Sequence, residues 1–408
     1  MDGFSRAQEI TAAVAQCGRG QRGVSRIALT EPDMEARRIV RAEMESLGMD
    51  VRLDACGNMW GKREGTEDGP GVVIGSHLDS VPEGGDYDGV LGVAAGLGVV
   101  RDIIMSNSTH RRSLSVAVFT AEESSRFSLA CIGSKAATGN LTLADTLRFK
   151  DREGVTLLNA IRSAGGCPER IPRDRIAPVS YEAYFELHIE QGPVLDWSGE
   201  DVGIVDAIAA PTRFALELNG TAAHSGACPM NMRHDALAAA AAVILAVESA
   251  GRDESENGSV ATVGVCECSP GVMNVVPGRA LLKVDIRGVQ SASIARVRDT
   301  VLSKTASICA SRGVQWRMIP YSADEPVVMD GLLARKLERI CRRRGIKYRR
   351  MSSGAGHDAM FMASLIPSAL IFVPCADGVS HNPDERVDWA KVRSGYDVLL
   401  EAVRDMVV

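Results

Sequence analysis

Val72-Val73-Ile74-Gly75-Ser76-His77-Leu78-Asp79, with the loop Glu83-Gly84-Gly85-Asp86-Tyr87-Asp88-Gly89 behind it, decides how the rest of the chain is read. A short apolar run that ends in polar residues and a Gly-rich turn predicts a buried strand, and the apolar stretch 90–100 after the loop predicts a buried helix. His77 then closes a strand and Asp88 opens a helix. Both fall on the carboxyl edge, where open α/β sheets gather their ligands. In extended chain, residues i and i+2 point the same way. Asp79 is therefore expected to take the second ring proton of His77 and fix its tautomer.

The pattern repeats. A second apolar strand, 114–119, ends in Thr120-Ala121-Glu122-Glu123, where adjacent carboxylates point in different directions, one suited to hold a metal and the other to carry a proton. A third contains Tyr184-Phe185-Glu186-Leu187-His188-Ile189-Glu190, and His381 follows Ile371-Phe372-Val373-Pro374 after a short loop. Each fragment alone has a plainer reading: a His-x-Asp is usually a structural pair and a Glu-Glu a solvated surface. Together they read differently. The protein has seven histidines, and three of them end strand-like runs on one predicted edge with carboxylates between them. Mixed histidine and carboxylate donors of this kind suit zinc and related divalent ions, and His77, Asp88, one of the pair Glu122-Glu123, His188 and His381 make up the expected set.

Strand and helix patterns alternate up to about residue 210, which predicts an α/β catalytic domain with a mostly parallel sheet covered by helices. From Thr212 the order changes to strand 214–218, helix 235–250, strand 260–267, strand 280–287, helix 291–311 and strand 314–322. This β-α-β-β-α-β order is ferredoxin-like. Alternation resumes after Glu325-Pro326, so residues 211–324 are expected to form a domain inserted between catalytic segments 1–210 and 325–408. The basic stretch 335–350 has Leu333, Leu337, Ile340 and Cys341 at helical spacing and reads as a solvated amphipathic helix.

Composition narrows the function further. The 408 residues carry a net charge of −6, which disfavours nucleic acid and anionic membranes as partners. The amino terminus lacks a signal pattern, and the longest apolar runs fall short of a membrane span. Ten cysteines scattered without a disulfide-type framework read as reduced thiols in a cytoplasmic protein.

At the level of motifs, Gly75-Ser76-His77-Leu78-Asp79-Ser80, Glu122-Glu123 before Ser125-Arg126-Phe127, Glu186-Leu187-His188-Ile189-Glu190-Gln191-Gly192 and Gly378-Val379-Ser380-His381-Asn382-Pro383 carry a resemblance. Along most of its length the chain resembles the hydantoinase/carbamoylase amidases, a branch of the dinuclear zinc aminoacylase- and carboxypeptidase-like enzymes. The resemblance implies two divalent ions, zinc or alternatively manganese, cobalt or nickel. His77 and His188 would hold one, Glu123 and His381 the other, and Asp88 would bridge them with Glu122 as general base. A cis peptide is expected after the bridge, at Asp88-Gly89. In the inserted lid, His224, Asn274 and Arg287 would grip a substrate carboxylate or the scissile carbonyl. Without the resemblance, this set reads as Asp285 paired with some other Arg and a turn Asn before a Pro. Gln191 would contact the ureido end, and Gly356 and His357 of Gly354-Ala355-Gly356-His357-Asp358 lie in a family loop at the catalytic edge. A homodimer through the lid is implied, with His224 reaching the partner's active site. The expected activity is hydrolysis of an N-carbamoyl-L-amino acid, with allantoate or a related ureido acid, or a peptide or acylamino acid, as alternative substrates.

Overall fold

The run at Val72 forms the strand Gly71–His77, buried at every residue. In the computed structural model, which describes residues 1–106 and 109–408, it lies in a mostly parallel sheet. The spatial order at the centre is Leu114–Phe119, Gly71–His77, Tyr181–Ile189 and Ser368–Val373, all parallel. Met59–Arg63 flanks them antiparallel on one side and Val202–Ile208 on the other. Parallel pairing puts the carboxyl ends of the four central strands on one edge. There stand His77, the Glu122-Glu123 pair beyond Phe119, His188, and the turn from Val373 towards His381.

Between Val90 and Met105 the chain is apolar on almost every side, so the helix it forms is buried along its length, with Val93, Ala94, Leu97, Val100 and Ile103 inaccessible or nearly so. Gly89 makes its start possible. Its φ of +69° is left-handed, and a Cβ there would lie 2.5 Å from the His77 ring. The basic stretch forms the helix Gly331–Arg344, which buries Leu333, Leu337, Ile340 and Cys341 as its spacing implied.

By Cα clustering the chain divides into one unit of Met1–Asp206 with Val328–Val408 and another of Ala207–Val327. The second has its own core and an antiparallel sheet ordered Gln315–Ala323, Ala210–Asn219, Arg279–Gly288, Ser259–Ser269. Phe214, Leu216 and Leu218 alternate inward, as do Ala280, Leu282, Val284 and Ile286. They pack on the helices Ala236–Asp253 and Ser291–Arg312, the first capped by the Asp235 carboxylate on the N–H groups of Leu237 and Ala238. This is the ferredoxin-like arrangement expected from the order of elements. None of the described helices is long and apolar enough to cross a membrane.

The seating of the Val90–Met105 helix on the sheet is testable at Gly92, where a Cβ would sit 2.3 Å from the Leu187 carbonyl oxygen and 2.8 Å from Ser76 Cβ. Helix propensity favours Ala over Gly by about 1 kcal/mol, but overpacking costs about 1 to 3 kcal/mol. Gly92→Ala is expected to lower the melting temperature in calorimetry. A melting temperature equal to or above wild type would refute this account of the seating.

Candidate metal centre

Asp88 lies at the middle of the carboxyl edge, and its two oxygens face different neighbours. Oδ1 is 3.1 Å from His188 Nε2 and 3.7 Å from His77 Nε2, while Oδ2 is 3.0 Å from His381 Nε2. His381 Nε2 is also 3.0 Å from Glu123 Oε1. Two donor sets result, His77, Asp88 and His188 in one and Asp88, Glu123 and His381 in the other, each compact enough to hold a metal ion. His77 Nδ1 meets the Asp79 carbonyl oxygen at 3.0 Å and His188 Nδ1 the Ile189 carbonyl oxygen at 2.9 Å. Carbonyls only accept, so both rings turn Nε2 towards Asp88.

The donors fit a cation. His188 Nε2 is buried and makes no hydrogen bond of normal geometry. Burial lowers the pKa of His188, yet Asp88 outweighs it and lifts the ring to about 9. Asp88 and Glu123 raise His381 to about 10. His77, where burial dominates, is lowered to about 4. For Asp88 burial pulls upward, but its contacts with His188 and His381 together hold it well below the usual carboxylate range. The raised His188 and His381 describe a negative potential around Asp88 and Glu123 that draws positive charge, while burial dominates at His77.

The glutamate pair is held by an unexpected partner. Ala121, at φ +53°, turns the chain off its strand, and the N–H groups of Glu122 and Glu123 then donate to Asp79 Oδ1 at 3.1 Å and Oδ2 at 3.0 Å. The anticipated bond from the His77 ring to the Asp79 carboxylate is not made, since Oδ1 stays 3.7 Å from Nδ1. The strand ends at His77, so the i to i+2 rule lapses there, and the Asp79 carbonyl takes the ring proton instead. Glu122 Oε1 accepts from the Cys131 thiol at 3.2 Å, and Oε2 lies 3.9 Å from His77 Nε2. Burial above all, then Glu123, Asp358 and Asp79, pushes Glu122 well above the usual carboxylate range. A second correction concerns Asp88-Gly89, whose peptide bond is not cis.

Gln191, at φ +59°, reaches into the same cluster, its amide donating to Asp88 Oδ2 at 3.0 Å and lying 3.2 Å from His381 Nε2. His357 is buried behind His188, edge-on at 4.5 Å between centroids, with Nε2 on Ser353 Oγ at 3.0 Å. Gly356 borders open space. Sequence reading missed two carboxylates. Glu186 accepts from Ser76 Oγ, Tyr184 Oη and the Ala359 N–H. Glu385 accepts from the N–H groups of Tyr87 and Asp88. Glu186 stood in plain sight inside the Glu186-Leu187-His188 motif, whereas nothing near Glu385 in sequence pointed to Asp88.

Within the Ala207–Val327 unit, His224 pairs with Val275 in a short two-stranded ladder next to Asn274, whose carbonyl accepts from the Ser225 N–H at 3.0 Å. His224 Nδ1 accepts from the N–H groups of Gly226 and Ala227, both at 3.1 Å, which places the ring proton on Nε2. Arg287, on the strand Arg279–Gly288, has Nη2 at 3.3 Å from Asp285 Oδ2, and Arg213 Nε donates to the same oxygen at 3.3 Å. The plain pairing of Asp285 with another Arg is therefore present alongside Arg287.

Comparison with known proteins agrees with this architecture. Residues 73–405 match the profile of peptidase family M20/M25/M40. An N-carbamoyl-L-amino-acid amidohydrolase from Pseudomonas sp. (strain NS671) is 36% identical over 94% of this chain and 93% of its own. A ureidoglycolate hydrolase from Oryza sativa subsp. japonica is 36% identical over 93% of this chain and 80% of its own. The crystal structure of a hydantoinase/carbamoylase family amidase from Burkholderia ambifaria superposes with a TM-score of 0.90 at 35% identity, covering 100% of this chain and 98% of that one. Sheet, inserted unit, clustered donors and full-length similarity together make the chain a C–N bond hydrolase belonging to peptidase family M20/M25/M40, in its hydantoinase/carbamoylase amidase branch.

Proposed function

We propose that this protein hydrolyses the ureido bond of an N-carbamoyl-L-amino acid to the amino acid, ammonia and carbon dioxide. The observation that carries the reading is the division of Asp88 between two donor sets, with Glu122 beside them and in neither set. His77, His188 and Asp88 would hold one divalent ion, and Glu123, His381 and Asp88 the other. Nitrogen and carboxylate donors favour zinc, with manganese, cobalt or nickel as alternatives. Such a pair, when bound, acidifies water and polarises a carbonyl.

The chain's own groups do the rest. Glu122 Oε2 takes a proton from the attacking water as its oxygen bonds to the ureido carbon. The raised proton affinity of Glu122 suits that task. His224, with its proton on Nε2, donates to the oxyanion. As the C–N bond breaks, the leaving nitrogen receives the proton from Glu122, and the carbamic acid fragment falls apart to carbon dioxide and the second nitrogen product. Asp79 is a positioning residue that holds both glutamate amides. Arg287 and Asn274 orient the substrate carboxylate, Gln191 meets the ureido end, and Gly356 leaves room at the rim while His357 supports His188. A homodimer through the lid would bring His224 to the partner's site, and Ser259–Ser269, the terminal strand of the lid sheet, supplies an eleven-residue edge for it. A cytoplasmic location is part of this reading.

A second substrate class, ureidoglycolate, allantoate or a related ureido acid, is favoured by the rice relative, which is 36% identical, as is the Pseudomonas amidohydrolase. Ammonia release from metal-loaded protein offered carbamoyl amino acids, allantoate, ureidoglycolate and dipeptides separates the two. Turnover of dipeptides alone would overturn the ureido reading.

Glu122→Gln keeps the shape but cannot accept a proton. Turnover is expected to fall by about 10² to 10⁴ while elemental analysis still finds both ions. Loss of an ion from this variant would show that Glu122 is a ligand. Arg287→Leu leaves Arg213 to pair with Asp285, so the fold should survive. Losing one side of a desolvated ionic hydrogen bond costs about 2 to 5 kcal/mol, so kcat/KM for a carbamoyl amino acid should drop at least about thirtyfold. The corresponding amide, which lacks the carboxylate, should change little. Equal losses on both would place Arg287 in the fold and not at the substrate.

A further inference from the structure

Asp88 and His381 are nearly 300 residues apart in sequence, and one buried side chain ties their loops together. Glu385 Oε1 accepts from the N–H groups of Tyr87 at 2.9 Å and Asp88 at 3.2 Å, and Oε2 accepts from Ser380 Oγ at 2.9 Å. The carboxylate is 4% exposed. Gly85 leaves the space it occupies, since a Cβ there would lie 2.3 Å from Glu385 Oε1. On its own side, Glu385 is set by a tight turn in which its N–H donates to the Asn382 carbonyl at 3.1 Å and the Asp384 N–H to Asn382 Oδ1 at 2.9 Å. Between that turn and Ser380 stands His381, at a left-handed φ of +54°. A non-glycine residue holds that conformation only where its surroundings enforce it, at a cost of about 1 to 3 kcal/mol.

We infer that Glu385 is the positioning residue of the second ion site. It clamps the backbone of the bridging Asp88 to the loop that presents His381, so that these two donors and Glu123 converge. The inference rests on the two-ion reading above. The other set, His77 and His188 with Asp88, has its histidines fixed by the carbonyls of Asp79 and Ile189 and depends on the clamp only through Asp88. The two sites should therefore respond unequally to its loss.

The experiment is zinc binding to the full-length protein, by elemental analysis at equilibrium in zinc buffers of graded free concentration, for wild type, Glu385→Ala, Glu385→Gln and Ser380→Ala. Mutating a group that orients a metal ligand weakens metal affinity about 10- to 100-fold. Glu385→Ala should lose affinity by that factor for one of two ions and hold the other within a few-fold of wild type. Glu385→Gln should be rescued, because its amide oxygen still accepts from the two backbone N–H groups and its NH2 can donate to Ser380 Oγ. Ser380→Ala, which removes one tether at the edge of the cluster and threatens the fold least, should weaken the same ion by a smaller factor. Two ions bound with wild-type affinity by Glu385→Ala, or by Ser380→Ala if the former does not fold, would overturn the clamp and leave the two-ion reading intact. Equal weakening of both ions, or a Glu385→Gln as defective as Glu385→Ala, would also overturn it. A wild-type protein that binds a single zinc would instead bring down the two-ion reading, and the clamp with it.

Discussion

Four carboxylates, those of Asp79, Asp88, Glu122 and Glu123, are drawn out of water onto one edge of the sheet, and the surrounding structure is arranged to neutralise them. Burying an ionised carboxylate costs several kcal/mol unless partners replace the lost water. The replacement differs at each position. Asp79 receives backbone N–H groups on both oxygens, Asp88 is ringed by imidazole nitrogens, and Glu122 keeps a thiol contact together with a raised proton affinity. Those three environments differ in what each carboxylate faces: backbone donors, imidazole rings and a thiol.

Geometry at this edge is bought with local strain. Ala121, Gln191 and His381 all sit at left-handed φ without being glycine, and each adjoins or belongs to the cluster. Strain of this kind persists only on a rigid support. The support here is the parallel sheet and the buried Val90–Met105 helix, whose first turn follows directly on Asp88.

How much of this was legible in sequence depended on range. The parallel strands showed as short apolar runs, and the second unit showed as an order of elements, because periodicity and punctuation are local. The donors His77, His188 and Glu123 were legible for the same reason, as they and the neighbouring Glu122 stand at or just beyond the ends of recognisable strands. The partner of Asp79 differs from the expected one because an extended-chain rule does not hold two residues past the end of the strand at His77. Glu385 was invisible. Its partners are nearly 300 residues away, and a Glu in an Asn-Pro-Asp-Glu turn looks solvated until the loop containing Gly85 is folded against it. Asp285 shows the converse: the plain reading of it as the partner of another Arg was legible locally, and Arg213 and Arg287 share one of its oxygens.

The strand Ser368–Val373 is the last in the chain, yet it is not at the margin of the sheet. It lies between Tyr181–Ile189 and Val202–Ile208, both made far earlier. Without residues 368–373 the sheet would have a gap through its middle, between Tyr181–Ile189 and Val202–Ile208. Open edges of that kind invite pairing with other chains. The segment that fills the gap also leads to His381, whose Nε2 lies 3.0 Å from Asp88 Oδ2. Closure of the core and the gathering of His381 with Asp88 thus depend on one segment, and a chain shortened before residue 368 forfeits both.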